Sequence, residues 1–408
     1  MPFLSDHVYA ARRQAMSAFM DEEGLHALAL LTPDFCFYAT NLEPDVLTWE
    51  RPVVVVVPKE GPAFALLHEL SANHVRMAAA RGTVWIDDIE FYAEHPRVDR
   101  RLALLPQWPQ RVAEMLREHG LTDAAIGVDT TSRLMLEAAD ALPRLVMRVV
   151  DPSIRSLRLV KHEEELELAR AAASLADWGQ EHYRNEVREG RLLKELDWNV
   201  GARIFEEAAR RHPGENVDVR IASLSGAGSA APHGFGINTD SRIERGHGIV
   251  NIIILRLNGV TIENERTWFC GTPTVQQTAA HEVAVRAQEA AIAEVRTGNA
   301  VRAIDAAALR VFEDAGYGAY VCHRTGHGVG IGRGASLTAH DFPHDMAFSK
   351  RPLIAGEIYS VEPGVYLPGI GGFRFDDTVI VGDEPEVITH TAKDIGSLTI
   401  PVAEALVP

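Results

Sequence analysis

Asn258-Gly-Val-Thr-Ile-Glu-Asn-Glu-Arg-Thr267 decides how the second half of this chain folds. An Asn-Gly pair between β-branched runs predicts a two-residue hairpin turn, because both central residues must take positive φ. The arms are then Ile252 to Leu257 and Val260 to Thr267. Side chains alternate along a strand, so Glu263 and Glu265 project from one face, with Ile254 opposite the first and Ile252 opposite the second. Two carboxylates among β-branched hydrophobes are costly unless a cation, a water to be activated or a cationic part of a substrate meets them.

Helical and strand-like stretches alternate over the first 150 residues. Tyr9 to Glu23 and Gln107 to His119 read as helices, while Ala27 to Leu31, Arg51 to Pro58 and Ala124 to Val128 read as strands. This alternation predicts a layered α/β domain that ends near the break at Asp151-Pro-Ser. Beyond a helix starting near Lys161 the chain echoes itself: Glu186-Val-Arg-Glu-Gly190 precedes Asp197 as Glu294-Val-Arg-Thr-Gly298 precedes Asp305. Each unit is followed by β-rich sequence, Val219 to Gly271 and Tyr320 to Val387, so helices packed outside a curved sheet with pseudo-twofold symmetry are expected.

The 408 residues suffice for more than one domain. A formal charge of -17 disfavours nucleic acid and anionic membranes as partners. Cys36, Cys270 and Cys322 show no paired metal spacing, and no apolar run approaches a membrane span. A soluble, reduced, cytoplasmic protein is the expectation.

Four further places carry chemistry-bearing residues. His233 lies in the Gly- and Ala-rich loop Ser225 to Gly234, and His327 lies between glycines in Thr325-Gly-His-Gly-Val-Gly330. Glu362 ends a strand before Pro-Gly, and Gly371-Gly-Phe-Arg-Phe-Asp-Asp377 is expected to put Arg374 and Asp376 on one strand face, Asp377 on the other. Taken singly, these are a structural histidine, a turn residue and a surface ion pair; together they suit a metal cluster or general acid/base catalysis.

From about Val160 to Val381 the motifs L-R-L-V-K-H-E-E-E-L, P-H-G, E-R-T with C-G-T-P, H-R-T-G-H-G-V-G and S-V-E-P-G-V-Y-L-P-G-I-G-G-F-R-F-D-D stand in one order. In that order they resemble the pita-bread family of methionine aminopeptidase, aminopeptidase P, prolidase and creatinase. M-D-E-E-G-L-H-A-L-A-L-L-T-P-D-F-C-F-Y-A-T-N-L resembles the amino-terminal domain of its creatinase and prolidase branch. The resemblance implies an α+β protein with an amino-terminal α/β domain over 1–155, a pseudo-twofold pita-bread domain over 156–408, and a homodimer.

The family's metallopeptidases hold two divalent metals. Of the implied ligands, Glu263, His327, Glu362 and Asp376 are present, but the first hairpin Asp falls on Ile252 and an additional catalytic His on Gly334. Creatinase implies a metal-free site whose His and two Glu fall on His233, Glu265 and Glu362. The reading adopted from sequence is therefore a creatinase-like hydrolase of the C–N bond of a small amide, amidine or dipeptide, with no cofactor required. His233, Glu265 and Glu362 would be catalytic, and Arg51, His327, Arg333 and Arg374 would bind substrate. Two alternatives stay open: an Xaa-Pro dipeptidase or aminopeptidase with one divalent metal such as Mn, Zn or Co on Glu263, His327, Glu362 and Asp376, and a non-catalytic peptide-binding relative.

Overall fold

A computed structural model describes residues 4–43, 46–93, 107–233, 240–332, 340–341 and 346–402. The chain forms two compact units, one of residues 1–158 with 331–336, the other of residues 159–330 with 337–408.

The first unit is built on a six-stranded sheet of β1 (Ala27–Leu30), β2 (Val54–Pro58), β3 (Phe64–His68), β4 (Asp88–Tyr92), β5 (Ala125–Val128) and β6 (Val146–Val149), in the order β4-β3-β2-β1-β5-β6. The valine run explains the layering. Val53, Val55 and Val57 enter one apolar cluster and Val54 and Val56 the other, so both faces of β2 are buried. A continuous β-branched run is what a strand covered on both sides requires.

The second unit carries a nine-stranded sheet. Seven of its strands are β7 (Val217–Ser225), β8 (Gly248–Leu257), β9 (Val260–Cys270), β10 (Gly326–Val329), β11 (His340–Asp341), β12 (Ile358–Val361) and β15 (Asp376–Ile380), and outside it lie β13 (Gly364–Leu367) and β14 (Gly371–Arg374). The order is β11-β10-β12-β15-β9-β8-β7, with two short strands appended at β15 and β9, while β13 and β14 form a separate ribbon. The hairpin turn has Asn258 at φ 48° and Gly259 at φ 88°, and its register pairs Ile254 with Glu263 and Ile252 with Glu265. Helix Glu163–Glu186 covers the opposite face: Gln180 Nε2 donates to the Asn264 carbonyl at 3.1 Å and Trp268 Nε1 to Gln180 Oε1 at 3.1 Å.

The echo is a structural repeat. Gly190 and Gly298 both take positive φ, at 80° and 88°, and bridges Leu192–Arg242 and Ala300–Pro352 follow them at matching places. Asp197, on helix Leu193–Arg211, accepts from the Ser223 amide at 3.3 Å; Asp305, on helix Val301–Asp314, accepts from the Thr325 amide at 2.7 Å. Each half thus ties its second helix to the strand region that follows, and β9 meets β15 between the halves. One expectation is corrected here. Arg374 and Asp376 do not share a strand: β14 ends at Arg374, β15 begins at Asp376, and buried Phe375 makes the corner.

Candidate functional site

Pairing between β9 and β15 builds the site, because it sets Asp376 against Glu265 and leaves Glu263 beside Thr378, whose hydroxyl exchanges hydrogen bonds with the Glu263 backbone at 2.8 and 3.0 Å. β12 lies on the far side of β15 and delivers Ser360, whose Oγ donates to Asp376 Oδ2 at 2.7 Å. Where β12 stops at Val361, Glu362 turns into the same space. The carboxylates of Glu263, Glu265, Glu362 and Asp376 then offer oxygens within 4.8 Å of one another.

β10 adds His327. Its strand is glycine-flanked for a reason of backbone packing: a Cβ on Gly326 would stand 1.9 Å from the Ser360 carbonyl oxygen. The buried imidazole donates from Nδ1 to the Gly328 carbonyl at 2.9 Å, which fixes the tautomer. Nε2 is left as a lone pair, 3.5 Å from Glu362 Oε1 and 3.7 Å from Glu263 Oε1. Burial pushes the His327 pKa down and that of Glu263 up, and Asp376 and Glu362 raise Glu263 further. Asp376 is pushed up to about 7 by burial and by Glu362. A lone pair aimed at carboxylate oxygens in a dry site calls for a cation between them.

Glu265 has a different partner. Arg374 donates from Nη2 to Glu265 Oε1 at 2.8 Å and closes a second contact from Nε to Oε2, a two-point clasp with both side chains buried. The same guanidinium lies near enough to the Tyr366 hydroxyl to act on it electrostatically. That hydroxyl lies 2.7 Å from His323 Nε2, while His323 Nδ1 donates to the Arg324 carbonyl at 2.7 Å, so Tyr366 donates to the imidazole. Burial lowers the His323 pKa, with Glu362 opposing. His323 and Tyr366 were not singled out in sequence, although both sit inside quoted motifs; no local pattern says that H-R-T and G-V-Y meet across β13.

On the other face of the sheet, Arg266 Nη2 donates to Asp377 Oδ1 at 2.7 Å, and Lys393 Nζ lies 2.9 Å from Asp377 Oδ2. These pairs lock β9 to β15 beneath the carboxylates.

Of the residues expected to work without metal, Glu265 and Glu362 stand in the one carboxylate cluster and His233 lies on the loop beside it. Glu265 is clasped by Arg374, Glu362 stands at the cluster with 13% of its side chain exposed, and His233 is exposed on its loop, near enough to His323 to act on it electrostatically. Of the expected substrate ligands, Arg374 is engaged by Glu265 and His327 lies in the carboxylate cluster. In the first unit Arg51 Nη1 pairs with Glu50 Oε2 at 2.6 Å. Arg333, like Gly334, lies outside the described residues.

The matched family is the decisive comparison: residues 167–383 fit the model of metallopeptidase family M24, and residues 12–160 fit the creatinase/prolidase N-terminal domain. The chain belongs to metallopeptidase family M24. It is 30% identical over 393 residues to the probable dipeptidase PepE of Mycobacterium tuberculosis, covering 93% of this chain and 94% of that protein. It is 30% identical over 247 residues to the Xaa-Pro dipeptidase of Pyrococcus furiosus, covering 60% of this chain and 67% of that protein. The crystal structure of dipeptidase PepE from Mycobacterium ulcerans superimposes with a TM-score of 0.78 at 27% identity, covering 98% of this chain and all of the other.

Membership of M24 makes this chain a hydrolase of the pita-bread fold and overturns the expectation that no cofactor is required. The residues fit a metal. Glu263 and Asp376 are buried together, where only a shared proton or a cation offsets their mutual repulsion, and both belong to a cluster of hard oxygen donors with one imidazole nitrogen. Ile252 offers no ligand, yet the oxygens of Glu263, Glu265, Glu362 and Asp376 converge without it, with His327 Nε2 beside Glu263 and Glu362.

Proposed function

We propose that this M24 protein is a divalent-metal-dependent dipeptidase acting on Xaa-Pro dipeptides. The observation that carries the reading is the His327 Nε2 lone pair facing Glu263 and Glu362 inside a buried carboxylate cluster. The relatives named above, dipeptidases over nearly their full length and an Xaa-Pro dipeptidase over two thirds of its own, support the substrate class. Glu263, His327, Glu362 and Asp376 would hold the metal. When bound, it would polarise the scissile carbonyl and acidify a water.

The chain's own groups divide the remaining work. Glu362 is the most exposed of the four carboxylates and would take a proton at its carboxylate from the attacking water. His233, exposed on its loop near His323, would supply a proton to the leaving nitrogen. Burial pushes the Glu265 pKa up and Arg374 opposes it, while the Tyr366 hydroxyl holds His323 in one orientation. Excluding water from Glu263 and Asp376 keeps their interaction with a cation strong.

The test is hydrolysis of a panel of Xaa-Pro dipeptides, creatine-like amidines and N-acyl amino acids by protein loaded with Mn(II), Co(II) or Zn(II), before and after chelation. Turnover of Xaa-Pro dipeptides that chelation abolishes, and a fall of at least about 1,000-fold in kcat/KM for His327→Ala, amounting to ~4 kcal/mol of lost transition-state stabilisation, are expected. Undiminished turnover after chelation would sink the reading.

A further inference from the structure

We infer that this chain holds one divalent cation, on Glu263, His327, Glu362 and Asp376, and that the guanidinium of Arg374 stands where a second cation would otherwise be needed. The inference rests on the metal-dependent reading and narrows it to a stoichiometry.

The cluster has two unlike halves. In one, His327 Nε2 lies 3.5 Å from Glu362 Oε1 and 3.7 Å from Glu263 Oε1, and Glu263 and Asp376, both buried, bring carboxylate oxygens within 4.8 Å of one another. In the other half the carboxylate is Glu265, and both its oxygens face Arg374, Oε1 at 2.8 Å from Nη2. Arg374 Nη1 also comes within 3.9 Å of Glu362 Oε2.

Across the hairpin from Glu265 the register sets Ile252, and beyond Ile252 it sets Ala222, so the row on that side of Glu265 contains no donor atom in its side chains. Asn251 cannot substitute, because alternation puts its amide on the opposite face, in register with Arg266 and Ser223. A second cation would therefore meet a single unshared carboxylate already neutralised by a permanent charge. Arginine stays ionised at every accessible pH and has no acceptor with which to ligate.

Charge balance agrees. With all four carboxylates ionised, as ligation by a cation requires, they exceed the one guanidinium by three charges; one divalent ion leaves one negative charge, whereas two would leave the buried cluster net positive.

The experiment uses the full chain, stripped with a chelator, dialysed and titrated with Mn(II). Calorimetric stoichiometry and elemental analysis after gel filtration should give one Mn(II) per chain, with the six-line electron paramagnetic resonance spectrum of an isolated ion. Ile252→Asp, which places a carboxylate opposite Glu265, should bind a second ion and show exchange broadening. Glu265→Gln should keep one ion, while Glu263→Gln weakens Mn(II) binding by at least about 100-fold, beyond the loss of an outer-shell partner.

Two ions in the wild-type chain overturn the inference and leave the metal-dependent reading standing. No ion at all removes both. An Ile252→Asp chain that folds and still holds one ion overturns the part assigned to residue 252, and the wild-type stoichiometry decides the main point whether or not that variant folds.

Discussion

Asp376 and Asp377 are adjacent in sequence and do opposite things. Alternation sends Asp376 into the carboxylate cluster, where burial and Glu362 raise its pKa to about 7. Asp377 faces the helix side, where Arg266 and Lys393 outweigh burial and hold its carboxyl below the ordinary range. Replacing Asp377 by Asn leaves the Arg266 charge buried with its strongest partner gone. The expected cost is about 3–5 kcal/mol in a urea titration near neutral pH, and a loss under about 1 kcal/mol would show the pair to be incidental. The sign of the pH dependence follows from the depressed pKa. Stability from this pair is complete above the ordinary aspartate value of 3.8 and is lost as pH falls through the lower folded value. The wild-type urea midpoint should drop in that acid window more steeply than that of Asp377→Asn; parallel curves would contradict the assignment.

At the scale of elements, turn chemistry and strand period carried most of what could be read from sequence. The hairpin, its register and the shared face of Glu263 and Glu265 follow from Asn258-Gly259 and alternation, both local properties. The strand corner at Phe375 was not legible, since F-R-F-D-D alternates as one strand would; β14 leaves the main sheet to pair with β13, a decision made by distant chain. Glycine at 326 belongs to this scale too. Gly326→Ala puts a Cβ against a backbone oxygen that has nowhere to go, so β10 must move from β12 and take His327 with it. Beyond the ~1–3 kcal/mol of ordinary overpacking, the variant should lose most Mn(II) affinity; wild-type melting and wild-type Mn(II) titration together would refute this account.

Over the whole molecule, the formal charge of -17 and the buried carboxylates mean that the metal-free fold works against its own repulsion. A divalent ion that binds only the folded chain stabilises it by mass action, about 2.7 kcal/mol at a free concentration 100 times Kd. Scanning calorimetry should show Tm rising by several degrees on adding Mn(II). The same addition to His327→Ala should give a much smaller shift, and equal shifts in the two proteins would place the ion elsewhere.

The sequence by itself determined the two-part architecture, the duplicated helix-strand units, the hairpin and the set of acidic and imidazole side chains available, because these rest on periodicity, turn residues and family motifs within short windows. Only the tertiary structure decided how those side chains are shared out. Glu265 and Arg374 are 109 residues apart, yet they clasp. Asp376 meets Glu265 only because β9 pairs with β15, and His327 faces Glu263 and Glu362 only because β10 packs on β12. Whether a carboxylate serves a metal or a guanidinium depends on which charge lies within a few ångströms in a dry site, a property of long-range pairing that local sequence does not contain.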